Sequence, residues 1–216
     1  MRGPGFDKGA PRSLRALMLA AGLAVLLAAG CCTASTKTTA TTQNAAYEAS
    51  GLLTPVRQAP PLALRNYMGQ PVNIASFMGK AVLVTFLYTH CPDVCPLITS
   101  QLHVAQTLMG PATAAKAQII AVSVDSRGDT PAAVEAFLTR HLMKGHMQYL
   151  VGSTPELAKV WNAWGVGSER DASNPELVNH TGLVFGISAS GKRITIYAPN
   201  FKPAEIAHDV PILAAH

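Results

Sequence analysis

The stretch Ala81-Val-Leu-Val-Thr-Phe-Leu-Tyr-Thr-His-Cys-Pro-Asp-Val-Cys-Pro96 decides the fold. Its first seven residues form a continuous apolar, β-branched run, the pattern of a strand buried on both faces. Cys91 and Cys95 follow at once, four positions apart. Residues 97–108 then show helical spacing and stop near Gly110-Pro111. A strand running into a cysteine-bearing turn and then a helix puts sulfur near a helix N-terminus. Unpaired backbone N–H groups and the helix dipole favour thiolate there. Pro96 fits the first helical position, with Cys95 as the cap and Cys91 in the preceding turn. Two thiols so held can cycle between dithiol and disulfide, or they can clamp a soft metal ion.

Outward from this stretch, residues 62–67 and 71–74 flank Met68-Gly69-Gln70 and read as a hairpin. Residues 118–124 form a second buried strand. Thr130-Pro131 opens a helix through Leu142, and Thr154-Pro155 opens another that reaches Trp164 and ends at Gly165. Ser190-Gly191 joins two late strands, residues 183–187 and 193–197. Residues 203–215 are a final helix interrupted at Pro211. Parallel crossovers early and an antiparallel hairpin late predict an α/β domain with a mixed central sheet and helices on both faces.

The front of the chain differs. Arg2, Lys8, Arg12 and Arg15 precede an apolar run over residues 16–29 that ends in Ala28-Ala29-Gly30-Cys31. Basic residues, a short apolar core and small residues before a cut mark a secretory signal, and the run falls short of the ~20 residues that span a bilayer. A cysteine directly after the small residues resembles a bacterial lipobox, so Cys31 is the expected lipidation site and mature N-terminus. Residues 33–46 lack aromatic and large aliphatic side chains, and the segment from 31 to 60 reads as a flexible Thr/Ala-rich tether. The expected organisation is therefore a signal over 1–30, a tether over 31–60 and one domain over 61–216.

Charge excludes one class of partner. Residues 1–30 hold four Lys/Arg and one Asp/Glu, so their removal lowers the formal charge from +5 to +2. No basic cluster remains, and neither nucleic acid nor an anionic surface is implied. Export also gives the cysteines a compartment. Outside the cytoplasm a close pair oxidises unless it is kept reduced or bound to metal. One disulfide closing so short a loop would add little stability, so the pair is functional rather than structural.

Three residues between the cysteines, against two in thioredoxin-type redox enzymes, suit two sulfurs sharing a third atom. Thiolates select soft metals, and copper heads the affinity order of the first-row divalent ions. A third ligand is then wanted. His180 stands out because it ends a polar loop and immediately precedes a buried strand, although most single histidines are merely solvated or packed. His141, Met143, His146 and Met147 form a soft-ligand cluster that reads better as a helix end with methionine packing beneath it. Asp93 reads as a turn residue, and His90 stands beside the site without entering it. Trp161 and Trp164 share a helical face and suit a core or a rim.

These residues match a known pattern. Residues 82–96, together with Val122-Ser-Val-Asp125, Asp129-Thr-Pro131, residues 152–165, His180-Thr181 and Gly191-Lys192, resemble the Sco/SenC copper-chaperone family over about residues 60–216. The resemblance implies a thioredoxin-like fold with an extra N-terminal hairpin, and Cys91, Cys95 and His180 as ligands of copper, as Cu(I) or Cu(II). It implies a metallochaperone rather than an enzyme, serving the binuclear copper site of cytochrome c oxidase, while the low residual charge, single globular unit and heptad-free lead predict a monomer. The expected partners are the apo copper-site subunit of that oxidase and a periplasmic copper donor or thiol reductase. The expected location is the outer face of a bacterial cytoplasmic membrane, through a lipid anchor. The family usually has Asp before the histidine, where this chain has Asn179. A thiol–disulfide oxidoreductase is the alternative. It does not need His180, and such enzymes place a cis-proline before the strand facing their cysteines, where this chain has Thr181. Peroxidase chemistry is disfavoured because Tyr88 occupies the position at which peroxiredoxins carry threonine.

Overall fold

The computed structural model describes residues 46–174 and 177–216. In chain order its elements are β1 (Gly51–Gln58), β2 (Ala63–Asn66), β3 (Pro71–Asn73), a 3-10 turn (Ile74–Phe77), β4 (Ala81–Leu87), α1 (Val94–Ala114), β5 (Ala117–Ser123), α2 (Pro131–Arg140), β6 (Met147–Val151), α3 (Thr154–Trp164), β7 (Ser168–Arg170), β8 (Val178–His180), β9 (Val184–Ile187), β10 (Lys192–Tyr197) and α4 (Pro203–Ala215). Eight strands form one sheet in the order β1-β10-β9-β4-β5-β6-β2-β3, and β7 and β8 form a separate antiparallel ribbon. The centre, β4-β5-β6, is parallel, and every other pairing is antiparallel.

Every residue of β4 is buried, as a central parallel strand covered on both faces requires. Register then sorts the helices. Thr85, Ala121 and Tyr149 share one row, and Phe86, Val122 and Leu150 share the next, on the opposite face. Phe137 of α2 meets the Tyr149 ring edge-on, and Asp209 of α4 accepts from the Tyr197 hydroxyl at 2.9 Å on the same face. α1 packs against α4 there. Trp164 of α3 instead stacks with Phe86 and Phe185 on the other face. Among the described residues, helices thus cover both faces, three against one.

Local chemistry explains the helix ends. α3 begins with a capping box between Ser153 and Glu156, one residue earlier than Thr154-Pro155 alone suggests, and stops at Gly165, whose φ of 70° disfavours other residues. α1 begins at Val94 rather than Pro96. Cys95 therefore lies inside the first turn, and Asp93 takes the cap position without a side-chain bond. Pro96 is tolerated because the first helical N–H groups have no partner to lose. Backbone at Gly110 departs from helical angles where the sequence places a stop, although one further turn follows. α4 runs through Pro211 unbroken, held by the burial of Ile206, Val210 and Leu213.

One expectation is corrected. Residues 51–58, read as tether, form the edge strand β1 against β10. The Glu48 N–H also donates to the buried Asp209 carboxylate at 2.8 Å, and Ser50 Oγ accepts from Ala198 at 3.0 Å. Pro55 and a mostly exposed pattern hid this strand. It is an edge strand whose register shifts between Leu52 and Arg57, where a proline costs no ladder bond.

A chain starting at residue 61 should consequently unfold more easily than one starting at residue 46. The loss should be on the order of 2–4 kcal/mol, from several ladder hydrogen bonds at about 1 kcal/mol each. Urea denaturation of the two fragments measures it. Equal midpoints would show that β1 adds nothing.

Candidate metal centre

The site lies where β4 ends. A turn returns the Cys91 N–H to the Tyr88 carbonyl at 3.4 Å, and α1 starts three residues later. Both cysteines are buried free thiols. The Cys95 N–H donates to Cys91 Sγ at 3.4 Å, so the start of the helix solvates this sulfur as expected. His180 arrives from β8, and its Nε2 stands 3.6 Å from Cys95 Sγ. Three side chains from segments 85 residues apart thus converge on one spot.

Proton sharing makes the two sulfurs unequal. Hydrogen bonding from the Cys95 thiol, followed by help from His180 and the backbone N–H groups, pulls Cys91 far below the usual thiol range. Donation to Cys91, together with deep burial, pushes Cys95 far up. Of the two sulfurs, Cys91 is thus the one that favours thiolate and Cys95 the one that favours its proton. Burial raises the Tyr88 phenol to about 12, so it stays protonated beside them.

A web of carboxylates fixes this turn. Asp129 is buried and accepts three bonds: from the Thr89 N–H at 2.7 Å, the Ser123 hydroxyl at 2.6 Å and the Tyr149 hydroxyl at 2.8 Å. It therefore ties the residue just past β4 to β5 and β6. Burial raises its pKa despite these donors. Four residues earlier, Asp125 pairs with Arg170 of β7 and accepts from the Arg127 N–H at 3.0 Å. Gly128 is needed here, since a Cβ would lie 2.4 Å from Asp125 Oδ2.

His180 is held through the β7–β8 ribbon. Ser168 pairs with His180 and Arg170 with Val178, while Ser168 Oγ donates to the Val124 carbonyl at 3.1 Å. Val166 and Val178 are buried, and Thr85 Oγ1 donates to the Leu183 carbonyl just beyond the histidine. A polar loop with few apolar anchors is the sequence expectation, and the structure replaces it with a ribbon. The missed signal is Asp125 after a buried strand, which supplies the partner of Arg170 on the ribbon.

The other candidates also find places. His90 is exposed and bonds Thr89 Oγ1 at 3.1 Å, away from the sulfurs. Met143 and Met147 are buried in the core, and His141 stacks on Phe137, so that cluster is packing. Trp164 is core, while Trp161 donates to the Ser123 carbonyl at 2.9 Å. Asn179 alternates with His180 along β8 and donates to Asp171 at 3.4 Å instead of touching the imidazole.

The donor set fits a soft metal: two sulfurs, one already favouring thiolate, and an imidazole whose Nε2 faces sulfur. Among the described residues no group of three or more His, Cys, Asp or Glu is placed as it stands to hold a metal ion. His180 Nδ1 is buried without a hydrogen-bond partner.

The SCO1/SenC family model matches residues 53–215. This chain therefore belongs to the SCO1/SenC family. It is 26% identical over 160 residues to the mitochondrial SCO1 homolog of Mus musculus, covering 72% of this chain and 55% of the relative. The chain spans about half the length of the curated relatives it matches. ScoI of Bradyrhizobium japonicum, solved with copper bound, superposes with a TM-score of 0.64 at 30% identity, over 73% of this chain and 99% of that one. Apo Sco1 of Thermus thermophilus gives 0.65 at 27% identity, over 78% and 96%. The fold is thioredoxin-like, with the added hairpin β2–β3.

Asp125 should make the anchoring of the ribbon sensitive to acid. Burial alone would raise its pKa, but the Gly128 and Arg127 amides and the Arg170 guanidinium hold it below the usual carboxylate range. Such a group adds stability above its unfolded value of about 4 and loses it as pH falls through the lower folded value. Urea midpoints at ~pH 6 and ~pH 3 should therefore differ more in the native chain than in Asp125→Asn. Equal differences would remove Asp125 from this role.

Proposed function

We infer that this chain is a copper metallochaperone that holds copper as cargo between Cys91, Cys95 and His180 and assists assembly of the binuclear copper site of cytochrome c oxidase. The observation that carries the reading is the approach of His180 Nε2 to Cys95 Sγ beside the Cys91 sulfur. Dithiol exchange alone would not need the imidazole, whereas a soft metal uses all three donors. Copper-bound ScoI of B. japonicum, similar over its whole length, supports the choice of metal. Bound through thiolates, copper would be accessible to ligand exchange with thiols of an acceptor protein, here the apo copper-site subunit of the oxidase.

The same sulfurs support a second, compatible role. Cys91 is the sulfur that favours thiolate, the form that attacks a disulfide, so the pair can also keep an acceptor's cysteines reduced. Metal and disulfide exclude each other, because ligation requires thiolates. Export and lipid attachment at Cys31 belong to this reading as well and rest on the sequence of residues 1–31, which lie outside the described residues. With that anchor the domain works as a monomer on the outer face of the membrane, supplied by a periplasmic donor or reductase.

One equivalent of copper(II) added to the reduced protein should produce thiolate-to-copper charge-transfer absorption. Cys91→Ser or Cys95→Ser should each abolish tight binding, whereas His180→Ala should weaken it and shift the bands. Unchanged stoichiometry and affinity in either serine variant would overturn the ligand set.

A further inference from the structure

Against the ribbon that carries His180 lies a cavity of about 140 Å³. Val124, Val178 and the Trp161 ring give it an apolar lining. The Trp161 indole is pinned by its N–H on the Ser123 carbonyl at 2.9 Å, and Ser168 holds the ribbon to the Val124 carbonyl at 3.1 Å. The rest of the lining is polar and positive. Arg127 of the β5–α2 loop and Arg170 of β7 line it, and Ser126 and Thr154 supply hydroxyls. Carboxylates nearby are already engaged. Asp125 is buried, pairs with Arg170 and accepts from the Arg127 N–H at 3.0 Å. Glu156 accepts from the Ser153 N–H and hydroxyl at 2.8 and 2.6 Å. Glu169 alternates with Ser168 and Arg170 along β7 and so faces away. The exposed Arg127 guanidinium has no carboxylate partner among the described residues. Ser126 Oγ and Thr154 Oγ1 lie 2.6 Å apart, so one hydroxyl donates to the other and the second keeps a proton to donate elsewhere. Two guanidinium groups against one carboxylate leave a single positive charge beside an apolar lining, where water screens it poorly.

We propose that this cavity is a docking site for a carboxylate side chain of an incoming protein, an aspartate or glutamate that pairs with Arg127 and accepts from the Ser126–Thr154 hydroxyl pair. The cavity is too small for a whole small-molecule ligand, whose pockets commonly measure ~300–1,000 Å³, so it takes one group carried on a larger body. One surplus charge matches a monoanion rather than a phosphate, and the planar guanidinium fork matches a carboxylate. The loop is also preformed. Asp129 and Thr130 N–H groups donate to the Asp125 and Gly128 carbonyls at 3.1 and 2.9 Å, so Arg127 is presented from a closed turn. Ser168 pairs with His180 and Arg170 with Val178, so a carboxylate seated here sets its owner against the strand that bears His180. The proposal deepens the copper reading by giving the docking partner a contact, while the chemistry of the cavity needs no metal.

Nuclear magnetic resonance titration of the isotope-labelled, metal-free full chain tests this. The probes are the peptide acetyl-Gly-Glu-Gly-amide, its glutamine counterpart, sodium acetate and inorganic phosphate. The glutamate peptide should shift the Trp161 indole and Ser168 amide signals saturably, and the glutamine peptide should leave them in place. Arg127→Gln, at an exposed position that folding does not need, should weaken the glutamate peptide about 10-fold by removing a charged donor. Lys159→Gln, whose charge lies outside the cavity, should bind as the native chain does. Absence of a saturable shift, or native affinity in Arg127→Gln, would overturn the proposal. Tighter binding of acetate than of the peptide would mean a cavity closed to a side chain, and tighter binding of phosphate would mean a phosphate site; either would overturn it too. No copper enters the titration, so a chain that binds no copper yet gives the expected shifts keeps the docking site and loses only the copper reading.

Discussion

A carboxylate shut away from water must have its oxygens satisfied from within, and Asp129 meets that demand by drawing three segments together. Thr89 lies just past β4, Ser123 ends β5 and Tyr149 belongs to β6, and all three donate to it. Loss of any donor would leave a buried acceptor short at a cost of about 1–3 kcal/mol. The three parallel strand ends are therefore held at one height. The cysteine turn grows from that level, so the position of Cys91 follows from a group that never touches sulfur. Asp125, one turn of chain earlier, extends the same frame outward to Arg170 and the ribbon that carries His180.

This division of labour explains how a site made of easily oxidised groups can be rigid without being stapled. The thiols are uncoupled from one another covalently and are unequal in proton affinity, because one is a hydrogen-bond acceptor and the other is its buried donor. Carboxylates, hydroxyls and backbone amides around them provide the geometry. A change of oxidation or ligation at sulfur can then leave the surrounding frame in place.

Much of this was legible in the chain before any coordinates. The unbroken apolar run of β4, the cysteines at its end, the Ser190-Gly191 turn and the Gly165 stop each depend on local chemistry, which sequence displays directly. The convergence of His180 on the cysteines was legible through family resemblance and through its place before a buried strand. What sequence did not display depends on tertiary partners. The β7–β8 ribbon looks like a polar loop until Asp125 and the Val124 carbonyl hold it. β1 looks like tether because an edge strand needs apolar residues on only part of one face and tolerates Pro55. The start of α1 was misplaced by two residues because proline is accepted anywhere in the first turn, so it marks the region and not the boundary.

The direction of β1 has a practical consequence for anyone handling this protein. Gly51 pairs with Ile196, and Tyr197 stands level with Val184 and so with Thr85, at the end of the sheet where β4 gives way to the cysteines. β1 thus begins at the cysteine end of the sheet, but the residues before it turn back, with the Glu48 N–H on Asp209 and Tyr47 lining a cavity with Ser190 and His216. The opposite end of the sheet receives α4, where the Ala189 N–H donates to the Leu213 carbonyl three residues before the C-terminus. A purification tag, dye or surface linker spliced in just ahead of Ala46 would therefore leave near the C-terminus rather than over the sulfurs. The same cargo fused after His216 would likewise leave the approach to the sulfurs clear.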